Sequence, residues 1–386
     1  MSLKTLEQLA GNKLRELGAL ELKRELRITE RKTLARTLRK GKRLVSFSCN
    51  DYLGLSTHKE VIEASVKATR QHGTGAAASR LITGNHPLFQ TLEKQLAQLK
   101  GTDDSVVFGS GYLAGIGIIP TLIGPDDLIL IDELSHSCLK TGAKLTGSRI
   151  LNFKHNNILH AEELLKNYRK KHRYCLLITE GVFSMEGDLA PLPELSKLTA
   201  QFNAWLMSDD AHGLGMLGHG RGSGFTPKNP ITIPLQMGTL SKAVGAYGGF
   251  ICASHQVTNL IRNRARTFVY TTGLPAGTVA AAIKALEIIE RDPILTTLPV
   301  KRAQLFTDEL GLPQAKSAIV PIILHTPEKA LMASQSLEKK GFLVTAIRPP
   351  SVPQGAARLR CTFSATHSEE DVLEFVSAIR PLLKSL

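Results

Sequence analysis

The sequence predicts an α/β protein: a large, mostly parallel sheet domain, a smaller C-terminal α+β domain and an N-terminal helical segment. Three observations carry this. Short continuous apolar runs recur at 105–108, 128–131, 174–179 and 204–208 with helical stretches between them, as a parallel sheet buried on both faces requires. Each run passes at its C-terminal end into glycine or into acidic and polar residues, and that is the end at which open α/β sheets bind ligands. Past about residue 290 the pattern changes to AIVPIILH, LVTAIRPP and ARLRCTFS alternating with helices. The expected divisions are residues 1–45, 46–290 and 291–386.

Residues 1–40 read as a helix followed by a basic connector. Leu3, Leu6, Leu9, Leu14 and Leu17 form an apolar stripe that would pack on the body or on a second subunit. RLVSFSCNDYLGL (43–55) gives a short strand and a polar turn holding Asn50 and Asp51. A helix follows over 58–71. QHGTGAAASRLITGNHP (71–87) is a loop of small residues suited to passing close to another group, and a helix over 87–100 opens at a proline. ITIPLQM (231–237) and FICAS (250–254) complete the core of the sheet.

The chain has 386 residues and a formal charge of +14, from 48 basic and 34 acidic side chains. The densest basic run, RITERKTLARTLRKGKR (27–43), contains no aromatic on which a base could stack, so no nucleic-acid partner is expected. A basic surface also suits an anionic small-molecule substrate. No apolar run reaches the roughly 18 residues of a membrane span, and the N-terminus has no secretory apolar core. The cysteines at 49, 138, 175, 252 and 361 make no C-x-x-C pair, so neither a metal site nor a disulfide framework is expected, and a reducing cytoplasm fits.

The chemistry centres on GTLSKAVGAYGG (238–249), where Lys242 stands among small residues. An amine so placed can condense with a carbonyl, a Schiff base with pyridoxal 5'-phosphate being one outcome. Taken alone, the stretch reads as a solvated lysine in a glycine-rich loop. The strand ends supply what that cofactor needs besides: Asp209, or Asp210 as the alternative, for the pyridine nitrogen; His212 for the phenolic oxygen; GSGYLAG (109–115), with Ser184 and Thr239, as a phosphate cup; and His136 to stack on the ring.

NDYLGL (50–55), ASRLITGNH (78–86), GYLAG (111–115), DELSHSC (132–138), TEGVFSMEGD (179–188), DDAHGLG (209–215), TLSKAVGAYGG (239–249) and YTTGLP (270–275) together resemble the α-oxoamine synthases, which are fold type I pyridoxal phosphate-dependent transferases. The resemblance runs from about Asn50 to the C-terminus. It implies that Lys242 binds the cofactor covalently and shuttles the α-proton. Asp209 pairs with the pyridine nitrogen, His212 bonds the phenolic oxygen and His136 stacks on the ring. Gly111 and Tyr112 hold the phosphate by backbone, with Ser184 and Thr239 near it. Thr271 and Thr272 reach the phosphate of a neighbouring subunit, so a homodimer is implied. Arg360 clamps the amino-acid carboxylate with its guanidinium fork. Arg24, Arg348 and Ser351 lie on the acyl side, and Asn50 and His136 complete the substrate contacts. TAIRPPSVPQGAARLR (345–360) is similar to the members that condense L-alanine with pimeloyl-CoA or pimeloyl-acyl carrier protein. Siblings such as glycine C-acetyltransferase and 5-aminolevulinate synthase share the earlier motifs.

Overall fold

The computed structural model describes residues 5–32, 35–225, 231 and 233–385. The chain divides into two compact units, Met1–Cys49 with Arg302–Leu386, and Asn50–Lys301.

The unit built from the chain ends begins with a helix, Leu6–Ala19. A capping box between Thr5 and Gln8 starts this helix and satisfies its first amides. None of its residues is buried: Leu6, Leu9, Leu14 and Leu17 are exposed in the single chain, and Leu3 lies outside the described residues. The expected basic connector contains two strands, β1 (Glu30–Arg31) and β2 (Arg36–Arg39), and β2 pairs with β3 (Lys42–Ser46). The hairpin between β2 and β3 turns on Lys40 and Gly41, both with positive φ (48° and 75°), the geometry that matches strand twist.

The middle unit holds β4 (Asp104–Phe108), β5 (Leu128–Asp132), β6 (Arg149–Phe153), β7 (Cys175–Glu180), β8 (Trp205–Asp209), β9 (Leu235–Thr239) and β10 (Gly249–Ala253) in one sheet, ordered β4-β10-β9-β8-β7-β5-β6. Only β10 runs against its neighbours. Side chains alternate between two cores. Ile129, Ile131, Ile178 and Met207 face Ile118 and Leu139; Leu128, Leu130, Leu177 and Leu206 face Leu165 and Leu195. Two details depart from the sequence expectation. β6 is an additional edge strand, and RILNF has no continuous apolar signature because most of it stays partly exposed. β9 starts at Leu235 rather than at Ile231, because Pro234 has no N–H to give the ladder; Thr232 lies outside the described residues.

The first unit resumes with β11 (Ile319–His325), β12 (Phe342–Leu343), β13 (Thr345–Ile347) and β14 (Ala357–Thr362). β11, β14 and β13 form an antiparallel sheet, and β12 joins β3 in parallel. Their shared core is aromatic. Phe47 stacks on Phe375 with ring centroids 4.2 Å apart, and Phe306 stacks on Phe375 at 5.1 Å. Among the described residues no helix is long and apolar enough to cross a membrane.

Phe375 is fully buried between two rings, so its truncation leaves a cavity that neighbours anchored on separate segments, Phe47 after β3 and Phe306 in the helix Pro293–Leu310, cannot fill. Phe375→Ala is expected to lower unfolding stability by about 3–5 kcal/mol in a urea titration.

Candidate active site

β4, β5, β7, β8 and β9 are mutually parallel, so their C-terminal ends share one edge of the sheet. Beyond β4, Ser110 caps the helix Gly111–Leu122, its hydroxyl accepting from the Leu113 N–H at 3.1 Å. The amides of Gly111 and Tyr112 open at the positive end of this helix, where no intrahelical acceptor exists. Two neighbours press against this turn. A Cβ on Gly249 would stand 2.4 Å from the Ser110 carbonyl oxygen, so only glycine lets β10 start there. A Cβ on Gly111 would meet the Thr239 side chain at 3.3 Å, which puts the helix start against the end of β9.

Lys242 sits in the tight loop after β9. The Gly245 N–H donates to the Lys242 carbonyl at 2.8 Å and the Leu240 N–H to the Gly248 carbonyl at 3.0 Å. Gly245 has φ 68°, and a Cβ there would lie 2.3 Å from the Ser56 nitrogen. The Thr239 hydroxyl donates to the Gly248 carbonyl at 2.8 Å and lies 2.8 Å from the Ser241 hydroxyl.

The two aspartates after β8 have different surroundings. Asp210 is committed. Its Oδ2 accepts from Lys100 Nζ at 2.8 Å, and its Oδ1 from the Ser223 hydroxyl at 2.6 Å and the Ser223 N–H at 3.1 Å. Lys100 also donates to the Arg221 carbonyl at 2.7 Å. Asp209 accepts from the Ala211 N–H at 3.0 Å and interacts electrostatically with Lys242 and His136. Burial pushes the Asp209 carboxyl above the usual carboxylate range, against the opposing pull of Lys242 first and then of His136.

His136 is open to solvent yet crowded by protein, and burial is the largest influence lowering its pKa. Its Nδ1 accepts from the Cys138 N–H at 3.2 Å, which leaves the ring proton on Nε2. His212 is buried, with Nδ1 2.7 Å from the hydroxyl of the fully buried Tyr52. That hydroxyl also lies 3.2 Å from Asn50 Oδ1. Ser184 donates its N–H to Glu180 Oε2 at 3.3 Å. Glu180 itself is raised well above the usual range by burial and then by Asp209, its register partner on β8.

Lys242, Asp209 and His136 thus form one interacting cluster at the strand-end edge. Thr272 bridges Ser79, and the Gly273 N–H donates to the Ala78 carbonyl at 3.0 Å, so YTTGLP is tied to the ASRLITGNH loop. In the other unit, Arg24 Nη2 donates to the Ser351 hydroxyl at 3.0 Å and Arg348 to the Glu21 carbonyl. Arg24, Arg348 and Ser351 line a pocket of about 690 Å³ in which Lys23, Arg27 and Arg39 add further positive charge against Glu21 and Glu25. Arg360 is buried on β14. Sequence reasoning noted Glu180 at a strand end without giving it a role, and overlooked Tyr52 and Lys100. Tyr52 was within reach, since NDYLGL contains it.

The profile of "Aminotransferase class I and II" matches residues 42–379. The chain belongs to the class I and II aminotransferase family. An 8-amino-7-oxononanoate synthase from Granulibacter bethesdensis is 53% identical over 381 residues, covering 99% of each chain. Another from Methylocella silvestris is 56% identical over 347 residues, 90% of this chain and 99% of that one. Among solved structures, a serine palmitoyltransferase from S. paucimobilis bound to pyridoxal phosphate and myriocin superposes with a TM-score of 0.93 at 27% identity, over 99% of both chains. The fold is therefore that of the fold type I transferases.

Lys100 and Asp210 have almost no exposed side-chain surface. Removing one partner leaves a buried charge uncompensated. Lys100→Met should lower stability by about 3–5 kcal/mol, and Lys100→Met combined with Asp210→Asn should recover most of that loss in the same denaturant titration.

Proposed function

We propose that this chain catalyses the decarboxylative condensation of L-alanine with a pimeloyl thioester, releasing carbon dioxide, the free thiol carrier and 8-amino-7-oxononanoate, a step of biotin biosynthesis. One observation carries the reading: Lys242, Asp209 and His136 interact at the strand-end edge beside a helix N-terminus. The relatives named for this reaction support it.

The residues present fit pyridoxal phosphate. Asp209 is a buried carboxyl with a raised pKa, which a cationic ring nitrogen would bring back to the ionised form. The Gly111 and Tyr112 amides suit a phosphate, with Ser184 and Thr239 adding hydroxyls. Bound there, the cofactor supplies an electron sink for negative charge at the amino acid's α-carbon.

The Lys242 amine would hold the cofactor through its carbonyl carbon and would move a proton at the amino acid's α-carbon. Asp209 keeps a proton on the ring nitrogen. Tyr52 fixes the His212 ring, and His212 bonds the phenolic oxygen. His136, with Nδ1 occupied by Cys138, covers the ring face and contacts substrate. Arg360 is assigned to the amino-acid carboxylate, and Arg24, Asn50, Arg348 and Ser351 to the remaining substrate contacts, by the family resemblance. Thr271 and Thr272 act on the phosphate of a second copy, which makes the working unit a homodimer. The free cysteines suit a reducing cytoplasm.

Purified protein with pyridoxal phosphate should release carbon dioxide and form 8-amino-7-oxononanoate from L-alanine and pimeloyl-CoA or pimeloyl-acyl carrier protein. Lys242→Ala should lose the covalent cofactor band and at least about 10²–10⁴-fold in rate. Turnover with glycine or serine and another acyl thioester, and none with L-alanine, would point to a sibling activity and overturn the assignment.

A further inference from the structure

We propose that His155 is a positioning residue for the cofactor site, a cationic tie between the two strand-end loops that carry His136 and Ser184. The inference rests on the proposed cofactor site but concerns a residue outside it.

His155 follows β6, the edge strand, and reaches in both directions. Its Nδ1 lies 3.0 Å from Asp132 Oδ1 and its Nε2 2.9 Å from Asp188 Oδ2. Asp132 ends β5 and opens DELSHSC, four residues before His136. Asp188 closes TEGVFSMEGD, four residues after Ser184. Each ring nitrogen faces a carboxylate, and only the imidazolium can donate to both at once. Asn156 doubles both arms: its N–H donates to Asp132 Oδ2 at 2.9 Å and its side-chain amide to Asp188 Oδ2 at 3.0 Å. Phe183 meets the ring edge-on at 4.3 Å, and the His155 N–H donates to Glu133 Oε1 at 2.9 Å. The turn held by Asp188 is closed by its own backbone, with the Phe183 N–H donating to the Asp188 carbonyl at 3.0 Å and the Gly187 N–H to the Phe183 carbonyl at 2.8 Å. Ser184 and the loop of His136 are therefore anchored to one cation.

Asp132 and Asp188 are the carboxylates at the ring, with Glu133 on the main chain, and despite its burial they raise His155 to about 10. A group raised in the folded state contributes stability fully below its unfolded value near 6.5 and loses it as pH climbs through about 10. The tie is closed at neutral pH.

The test uses His155→Gln and Asp188→Asn in the full chain. Apoprotein of His155→Gln should bind pyridoxal phosphate about tenfold more weakly than the parent, while kcat at saturating cofactor stays within about threefold. Amides of 133–139 and 182–190 should exchange faster in His155→Gln, whereas Asp188→Asn should loosen 182–190 alone. The parent's melting-temperature advantage over His155→Gln should be largest near pH 6–7 and vanish above about pH 10. Equal cofactor affinity in parent and His155→Gln, or an advantage that does not change with pH, overturns the inference. A parent that binds no pyridoxal phosphate overturns the proposed function instead. If His155→Gln does not fold, Asp188→Asn decides: unchanged exchange across 182–190 overturns the tie.

Discussion

Three adjacent strands, β5, β7 and β8, each end in a buried carboxyl: Asp132, Glu180 and Asp209. A carboxyl held away from water resists ionisation unless something compensates it, and at Glu180 the charge of its register partner Asp209 adds to the burial. The structure resolves each differently. Asp132 faces a protonated His155. Glu180 is driven towards its neutral form and accepts from the Ser184 amide. Asp209 lies among Lys242 and His136, and its neighbour Asp210 is withdrawn by Lys100.

The remaining architecture serves this edge. A parallel sheet brings five strand ends together, and glycines at 245 and 249 let the lysine loop and the first residue of β10 approach backbone that any side chain would strike. The helix start at Gly111 adds a positive end beside Thr239. The edge thus combines an amine, a carboxyl that needs a cation, and amides that suit an anion. Pyridoxal phosphate matches all three, and relatives more than 50% identical carry the name of an enzyme that makes 8-amino-7-oxononanoate.

Much of this was legible in the sequence, for physical reasons. Strands buried on both faces must be continuously apolar, so β4, β5, β7 and β8 stood out, and their polar ends pointed to the ligand edge. What stayed hidden depends on distant partners. Nothing local separates Asp209 from Asp210; Lys100, 110 residues away, does. Tyr52 meets His212 across 160 residues. RILNF was missed because an edge strand keeps polar residues, and the β2–β3 hairpin because its charges hide a Lys40-Gly41 turn. His155 carries no motif of its own; its role comes from where β6 ends.

The central claim is that Asp209 meets a cation on the cofactor ring. Nitrogen-15 NMR of the protein loaded with ring-labelled pyridoxal phosphate tests it directly. The account predicts a protonated ring nitrogen at neutral pH in the parent and an unprotonated one in Asp209→Asn. An unprotonated ring in the parent, or the same resonance in both proteins, would contradict it.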